Sequence, residues 1–311
     1  MTAKSPPNPG PNPALPPALP GERREFASAA GRLSYYASAG PAPGSTTPVL
    51  LLHSINAAGS AYEMRPLYER LRGEHAVYAL DLPGFGFSER SAREYVPRLM
   101  TDAVHAMVAE LRKRHGGAPV DALALSLSCE FLARAAVEKP ADYRRLALVS
   151  PTGFSGGGRA EGPAGEHRGI RPLHAVLAAK PWARALFGGL TRPATIRYFL
   201  QRTYGSKHVD QDLLDYDVLT THQPGAEHAP LYFVSAFLFS KDALRLYEQL
   251  TQPVWMTHGV RGDFVDYRHA KEFASRPNWR RGGRRGRTCA SSWSAATTTG
   301  PGRPRTAGAG G

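Results

Sequence analysis

The stretch Leu123-Ala-Leu-Ser-Leu-Ser-Cys129 places Ser126 where an apolar, strand-like run ends and a helical pattern begins. In a G-x-S-x-G elbow, a nucleophilic serine occupies a sharp, strained turn between a strand and a helix, and small flanking residues relieve the crowding. Ala124 and Ser128 occupy the two glycine positions here, and both are small. The stretch is therefore compatible with a nucleophile elbow, and equally with a buried serine that ends a strand.

Strand-like and helical patterns alternate on both sides of this elbow. A continuous apolar run of strand length, typical of a parallel strand buried on both faces, occurs at 48–53, and further strand-like runs occur at 76–80, 120–125, 145–150 and 253–258. Helical spacing separates the first four of these runs, at 62–71, 95–114 and 130–138. The order predicts an α/β protein with a doubly wound, mostly parallel sheet. An alternating segment at 26–37, with Gly31 at its turn, predicts a hairpin ahead of that sheet.

The domain organisation follows from shifts in composition. The proline-rich residues 1–22 predict a disordered leader, and residues 23–279 predict one α/β domain. Within it, a Gly-rich connection and helical spacing without strand alternation predict a helical cap at about 153–245. Residues 280–311 contain seven arginines but no acid and no Val, Ile, Leu or Phe. They predict a disordered Arg/Gly-rich tail.

Composition narrows the class of protein. Of 311 residues, 42% are hydrophobic and 21% are charged, as is ordinary for a globular chain. No apolar run approaches the roughly 18 residues of a membrane span, and two cysteines form no disulfide framework. No His or carboxylate cluster has the spacing of metal ligands. We therefore expect a cytoplasmic protein with no membrane partner, no metal and no cofactor.

The net charge of +13 at first suggests a nucleic-acid partner. Eight arginines and no acid lie between residues 276 and 311, which leaves 13 − 8 = +5 for the rest of the chain. A flexible basic tail provides no sequence-specific readout, so we do not expect nucleic acid to be the partner. A small-molecule substrate is the expected one.

Three further stretches follow other apolar runs. His53-Ser-Ile55 follows the first, Asp81-Leu-Pro-Gly-Phe-Gly-Phe-Ser88 the second, and Gly259-Val-Arg-Gly-Asp263 a later one. Together with the elbow, they resemble the α/β-hydrolase fold superfamily, in its esterase, C–C hydrolase and haloperoxidase-like branch with a helical cap. The resemblance covers roughly residues 24–274, and the D-L-P-G-x-G-x-S match and its spacing to the elbow are specific.

The resemblance implies a role for individual residues. Ser126 matches the nucleophile, and Asp263 matches the triad acid, with Asp266 a poorer fit to the turn. The backbone N–H groups of Ile55 and Leu127 match the oxyanion hole. These roles imply a serine hydrolase that acts on an ester or similar small acyl substrate. Serine rather than aspartate at the elbow disfavours dehalogenases and epoxide hydrolases.

The general base is missing from this pattern. The family places its histidine in a loop after the last strand, which corresponds to the neighbourhood of Cys289. His269, the last histidine, lies only six residues beyond Asp263. We expect His53 and His258 to bond loop backbone rather than to serve as the base. The resemblance therefore implies impaired activity or, alternatively, a catalytically inactive relative that binds a ligand or acts as a scaffold.

Three explanations of the tail stay open. It is a frameshifted translation of a GC-rich gene, a true divergent end, or a basic arm that binds acidic surfaces. The segment 275–279 resembles the approach to a last strand, and the strand pattern stops after it.

Overall fold

The computed structural model of the protein describes residues 13–38, 40, 47–155, 162–179, 182–262, 266–273 and 275–281. Within them, eight strands form one sheet in the order β1-β2-β4-β3-β5-β6-β7-β8. The strands are β1 (Glu22–Ser28), β2 (Gly31–Ala37), β3 (Val49–Leu52), β4 (Val77–Asp81), β5 (Val120–Leu125), β6 (Tyr143–Val149), β7 (Val254–Thr257) and β8 (Trp279–Arg281).

The sheet is parallel except at one edge. β1 pairs with β2, and β2 with β4, in antiparallel fashion, whereas the pairs from β4 across to β8 are parallel. This confirms the doubly wound, mostly parallel sheet and the hairpin around Gly31. The predicted approach to a last strand is also present, because β8 begins at Trp279.

Helices cover the sheet and form a separate layer at one edge. Those that pack on the sheet are α1 (Arg65–Leu71), α2 (Pro97–Arg114), α3 (Ser128–Glu138) and α9 (Ala243–Gln249). Those inserted between β6 and α9, here called the cap, are α4 (Arg171–Ala178), α5 (Trp182–Leu190), α6 (Pro193–Tyr204), α7 (Gln211–Thr221) and α8 (His228–Val234). Short 3-10 helices lie at Ala61–Met64, Pro140–Asp142 and Arg268–Phe273.

Burial explains why these segments form these elements. Every residue of β3 and β4 is buried, as expected for central strands covered on both faces. In α2 the buried residues recur at helical spacing, from Met100 through Val104 and Met107 to Leu111. Each such apolar side chain stabilises the fold by roughly 1.5–3 kcal/mol when it leaves water.

The part of the predicted leader that the structure describes is packed against the domain. The Ala18 N–H donates to the hydroxyl of Tyr36 at 2.9 Å, and the hydroxyl of Tyr216 in α7 donates to the Pro16 carbonyl at 3.0 Å. Residues 13–21 therefore differ from the expectation of disorder, because side chains of β2 and the cap satisfy their backbone. Residues 1–12, like the tail at 282–311, lie outside the described residues.

Leu19 provides a test of this packing, since only 3% of its surface is exposed. We expect Leu19→Ala to lower the free energy of unfolding by about 2 kcal/mol, through lost burial and the cavity left behind. Leu15→Ala, at a partly buried position of the same segment, should cost less. Denaturant unfolding of the three proteins measures the difference, and a Leu19→Ala protein as stable as the parent would contradict the packing.

Candidate functional site

Ser126 occupies a sharp turn between β5 and α3. Its φ is +57°, in the left-handed region that costs a residue with a side chain about 1–2 kcal/mol. Its N–H donates to the Val149 carbonyl of β6 at 2.8 Å, and its carbonyl accepts from the Cys129 N–H at 3.1 Å. The side chain is partly exposed. Strained backbone of this kind is concentrated at functional sites.

The loop after β3 lies beside this turn. β3 and β5 are neighbours, with Leu52 opposite Ala124, and the Ser128 hydroxyl donates to the His53 carbonyl at 2.5 Å. Ile55 in this loop and Leu127 in the turn are both buried. Among the residues that the structure describes, no acceptor is found for the N–H of either one. Two unpaired N–H groups thus lie on adjacent segments at the carboxyl edge of the sheet.

A partly buried carboxylate orders the same loop. Glu63 accepts hydrogen bonds from the Ser54 N–H at 2.9 Å and from the Asn56 side-chain amide at 2.8 Å. Burial raises the pKa of Glu63, and the hydrogen bonds from Ser54 and Asn56 oppose that rise. The loop is close-packed as well, because a Cβ on Gly59 would stand 2.7 Å from the Ser54 carbonyl oxygen.

His53 and Asp81 are structural groups behind the site. The His53 ring is fully buried, bonds the Ser54 carbonyl through Nδ1 at 2.6 Å and accepts the Leu82 N–H at Nε2. Burial lowers the pKa of His53 to about 4, so the ring is neutral near pH 7. Asp81 accepts the N–H groups of Ala61 and Phe87, and burial raises its pKa to about 6.

Ser126 has neighbours in register on the next two strands. Leu125 pairs with Val149, and Val149 with Thr257, so Ser126, Ser150 and His258 each follow the end of a strand. The His258 ring bonds the Gly259 carbonyl at 2.9 Å and stacks on Tyr267 with ring centroids 4.0 Å apart. His53 and His258 thus both bond loop backbone, as expected, and their exclusion as the base stays a prediction.

The structure does not bring a complete triad together. Asp263 lies outside the described residues, although the preceding loop through Gly262 is described and abuts the end of α6 near Gly205. His269 lies on the 3-10 helix at Arg268–Phe273 and pairs with Glu272 at 2.9 Å. Among the described residues, no histidine hydrogen-bonds to the Ser126 hydroxyl.

Sequence reasoning missed a buried polar cluster that joins α3 to the two ends of the cap. Glu130 accepts the Thr152 hydroxyl at 2.5 Å just after β6 and the Ser240 N–H at 2.8 Å just before α9. One turn further along α3, Arg134 pairs with Asp242 at 2.6 Å, and both are buried. An acid and an arginine four residues apart in the mainly apolar middle of this helix were the signal in the sequence.

The far side of the cap is held to the loop after β4. Arg90 is partly buried and donates to both the carbonyl and the hydroxyl of Thr220 in α7, at 2.9 and 2.8 Å. Burial lowers the pKa of Arg90 to about 10, so it stays charged at neutral pH. Asp217 of α7 is 2% exposed, and its Oδ1 has no hydrogen-bond partner among the described residues.

Neither a metal cluster nor a spanning helix is found in the described part of the chain. No group of three His, Cys, Asp or Glu residues there could hold a metal ion. None of the described helices has the length and hydropathy needed to cross a bilayer.

Comparison with known proteins identifies the family. Residues 49–294 match the sequence profile described as the alpha/beta hydrolase family. No curated protein sequence matches the chain significantly.

Solved structures share the fold at low sequence identity. A probable hydrolytic enzyme from Pseudomonas aeruginosa PAO1 is 19% identical with a TM-score of 0.62, over 90% of this chain and 93% of that one. An N-formylmaleamic acid deformylase from Pseudomonas putida S16 is 19% identical with a TM-score of 0.58, over 84% and 91%. A meta-cleavage product hydrolase from Pseudomonas fluorescens IP01 is 16% identical with a TM-score of 0.57, over 83% and 87%.

The positive φ of Ser126 predicts an unusual stability ranking of two variants at this position. Glycine adopts the left-handed region without strain, whereas alanine does not. We therefore expect Ser126→Gly to be more stable than Ser126→Ala by about 1 kcal/mol. Thermal unfolding of both variants measures the ranking, and an alanine variant that is the more stable of the two would show that the turn is not strained.

The burial of Asp217 predicts that its replacement by asparagine stabilises the protein, and more so at high pH. Burial and the charge of Glu63 raise the pKa of Asp217 in the folded protein. Ionisation of Asp217 therefore costs free energy in the folded state, and stability falls as the pH rises above the pKa that Asp217 has in the unfolded chain. Asp217→Asn should therefore raise the melting temperature by about 2–4 °C at pH 8 and by less at pH 4.5. The exposed Asp212 on the same helix supplies the control, since Asp212→Asn should change little. An equal effect at both pH values would contradict the assignment.

Proposed function

The chain belongs to the alpha/beta hydrolase family, and we propose that it is a serine hydrolase whose nucleophile is Ser126. The observation that carries the proposal is the left-handed backbone of Ser126 between β5 and α3. Such a turn lifts the hydroxyl out of the sheet and places it at the start of a helix, where the dipole favours developing negative charge.

The proposed oxyanion hole consists of the N–H groups of Ile55 and Leu127. Support comes from the absence of an acceptor for either group among the described residues, and from the Ser128 bond that holds the two loops together. Attack by the Ser126 oxygen on an acyl carbon moves negative charge onto the substrate oxygen. Two donors fixed in advance stabilise that charge, and the loss of one typically costs about 100- to 1000-fold in rate.

We propose Asp263 as the acid that orients the general base. We also propose that this chain lacks the base itself. The serine hydroxyl must lose its proton as it attacks. Without a histidine for that proton, acylation proceeds slowly, with the oxyanion hole supplying the remaining catalysis. We therefore propose weak turnover for these 311 residues.

The proposed substrate class is an ester or a similar small acyl compound. A deformylase and a meta-cleavage product hydrolase share this fold, which fits acyl transfer to water as the reaction. The cap above the elbow would close the site against bulk water, and its side chains would select the substrate.

A second candidate is a catalytically inactive relative that binds a small ligand. One observation favours it, namely that no described histidine bonds the Ser126 hydroxyl. Such a protein would keep the fold and the cap and perform no chemistry.

Hydrolysis of p-nitrophenyl acetate tests the first proposal. We expect slow turnover, and because triad residues act as a unit, a chain that lacks the base should lose little further turnover through Ser126→Ala. Covalent labelling of Ser126 is therefore the deciding measurement. Ser150→Ala is the matched control, because Ser150 ends the neighbouring strand and also has a positive φ, of 47°. A fluorophosphonate adduct located by mass spectrometry should map to Ser126 in the parent and in the Ser150 variant.

Other outcomes would decide against the proposal. A fluorophosphonate adduct that forms at another residue, or equally in the Ser126→Ala variant, would remove Ser126 from the mechanism. Saturable binding of an apolar ligand, with neither turnover nor labelling, would favour the inactive relative.

A further inference from the structure

The cap exposes large apolar side chains that a folded domain normally buries. Among the described residues, seven of the nine exposed large hydrophobic side chains lie between 170 and 204, and they are Ile170, Leu173, Val176, Trp182, Tyr198, Phe199 and Tyr204. α4 buries none of its residues. Leu173 and Val176 are three apart and so share one side of that helix, and Ile170 is its N-cap residue. Isolated exposed apolar residues are ordinary, but a concentration on consecutive helices indicates an interaction surface.

The same segment carries one sign of charge. Residues 167–209 contain eight lysines and arginines and no acid, whereas the whole chain contains 39 basic and 26 acidic residues. The segment is therefore as basic as the tail, but it is folded into α4, α5 and α6.

The basic side chains here differ from those elsewhere on the surface. On the sheet domain, arginines pair with acids, as Arg98 does with Asp102 and Arg114 with Glu110. Arg171, Arg192 and Lys207 are exposed, and no acidic partner for them is found among the described residues. Their charge is therefore available to an external anion.

We propose that this surface, the exposed side chains of α4, α5 and α6 between residues 167 and 209, docks on an anionic lipid surface. Amphipathic helices with Lys and Arg on one side and Trp, Phe or Leu on the other lie in the membrane interface. Tryptophan and tyrosine favour the headgroup level, where Trp182 and Tyr198 would lie. The basic groups add electrostatic attraction to acidic headgroups.

The chemistry of the surface favours lipid over other anionic or apolar partners. Nucleic acid is bound by basic and aromatic groups, and the exposed aliphatic side chains Ile170, Leu173 and Val176 would gain nothing from it. A second copy would bring two surfaces of the same strong positive charge together, since a two-fold interface is self-complementary. A lipid surface satisfies both the charge and the apolar side chains.

A recess on α6 fits a headgroup. It has a volume of about 270 Å³ and is lined by Tyr198, Gln201, Arg202, Gly205, Ser206 and Lys207. Two cationic side chains and hydrogen-bond donors there suit a phosphate, and the exposed Tyr198 and Phe199 stand beside it.

This inference is independent of the proposed hydrolase function. It departs from the expectation of no membrane partner, which rested on the lack of a spanning segment. Docking on one leaflet requires no such segment.

Vesicle co-sedimentation of the full chain tests whether the basic side chains of this surface bind anionic headgroups. We expect binding to phosphatidylcholine vesicles that contain about 30 mol% phosphatidylglycerol, little binding without it, and release by salt. Arg171→Glu with Lys207→Glu should weaken binding by at least about tenfold, at roughly fivefold per charge. Arg70→Glu with Lys113→Glu is the matched control at the opposite edge of the sheet, where α1 and α2 end. It changes the net charge equally and should leave binding nearly intact.

Two further measurements test the apolar side chains. Trp182 is 65% exposed, whereas Trp255 and Trp279 are buried. The fourth tryptophan, Trp293, lies outside the described residues, so the emission is measured in a Trp293→Phe background. Vesicles should shift that emission to shorter wavelength, and adding Trp182→Phe should abolish the shift while binding remains. Trp182→Ser with Phe199→Ser should weaken binding at least about tenfold, since burial of each aromatic group stabilises the bound state. Val234→Ser, at an exposed apolar position outside the segment, should not.

Several results would overturn the proposal. These are equal binding to neutral vesicles, equal losses from the two charge-reversed pairs, or no emission change from Trp182. Binding of single-stranded DNA that survives the aromatic substitutions would indicate nucleic acid instead. The surface would be assigned to a second copy by two results together. The parent would bind no vesicles, and sedimentation velocity would show a dimer that Trp182→Ser with Phe199→Ser converts to monomer.

Discussion

The left-handed turn at Ser126 is the constraint on which the surrounding structure depends. One strained residue turns the chain from β5 into α3, and three contacts hold it there. Its N–H bonds β6, the Ser128 hydroxyl bonds the loop after β3, and the Cys129 thiol bonds the Ala124 carbonyl. The strain of about 1–2 kcal/mol is sustained because α3 is buried along most of its length. Ser126, the candidate oxyanion loop and the helix are therefore fixed together.

The same helix also fixes the cap. Glu130 holds the chain where it leaves β6 and where it returns before α9, and Arg134 holds Asp242 beside it. Loss of one partner from a buried ion pair of this kind typically costs about 3–5 kcal/mol. Arg90 and Tyr216 secure α7 on the other side. The cap is thus anchored at α7 and at its two ends, while α4, α5 and α6 between them expose basic and apolar side chains.

The strands and sheet helices were predictable because their signal is local. A run such as 49–52 is apolar at every position, which only a strand buried on both faces accommodates, and α2 shows its buried side at helical spacing. The packing of residues 13–21 was not predictable, because it depends on Tyr36 and Tyr216, which are distant in sequence. The roles of Ser126, Ile55 and Leu127 were predicted from motifs and stay predictions. That of Asp263 does too, at a position outside the described residues.

The sequence by itself determined the order of strands and helices, the place of the elbow and the family, because hydrophobic periodicity and short motifs are properties of neighbouring residues. Only the tertiary structure decided the backbone conformation of Ser126, the burial of Asp217 and the exposure of Arg171 and Lys207 without an acidic partner among the described residues. The physical reason is that strain, burial and pairing depend on which distant groups come within a few ångströms. Composition records that a charge or an apolar side chain exists, and folding determines whether it has a partner.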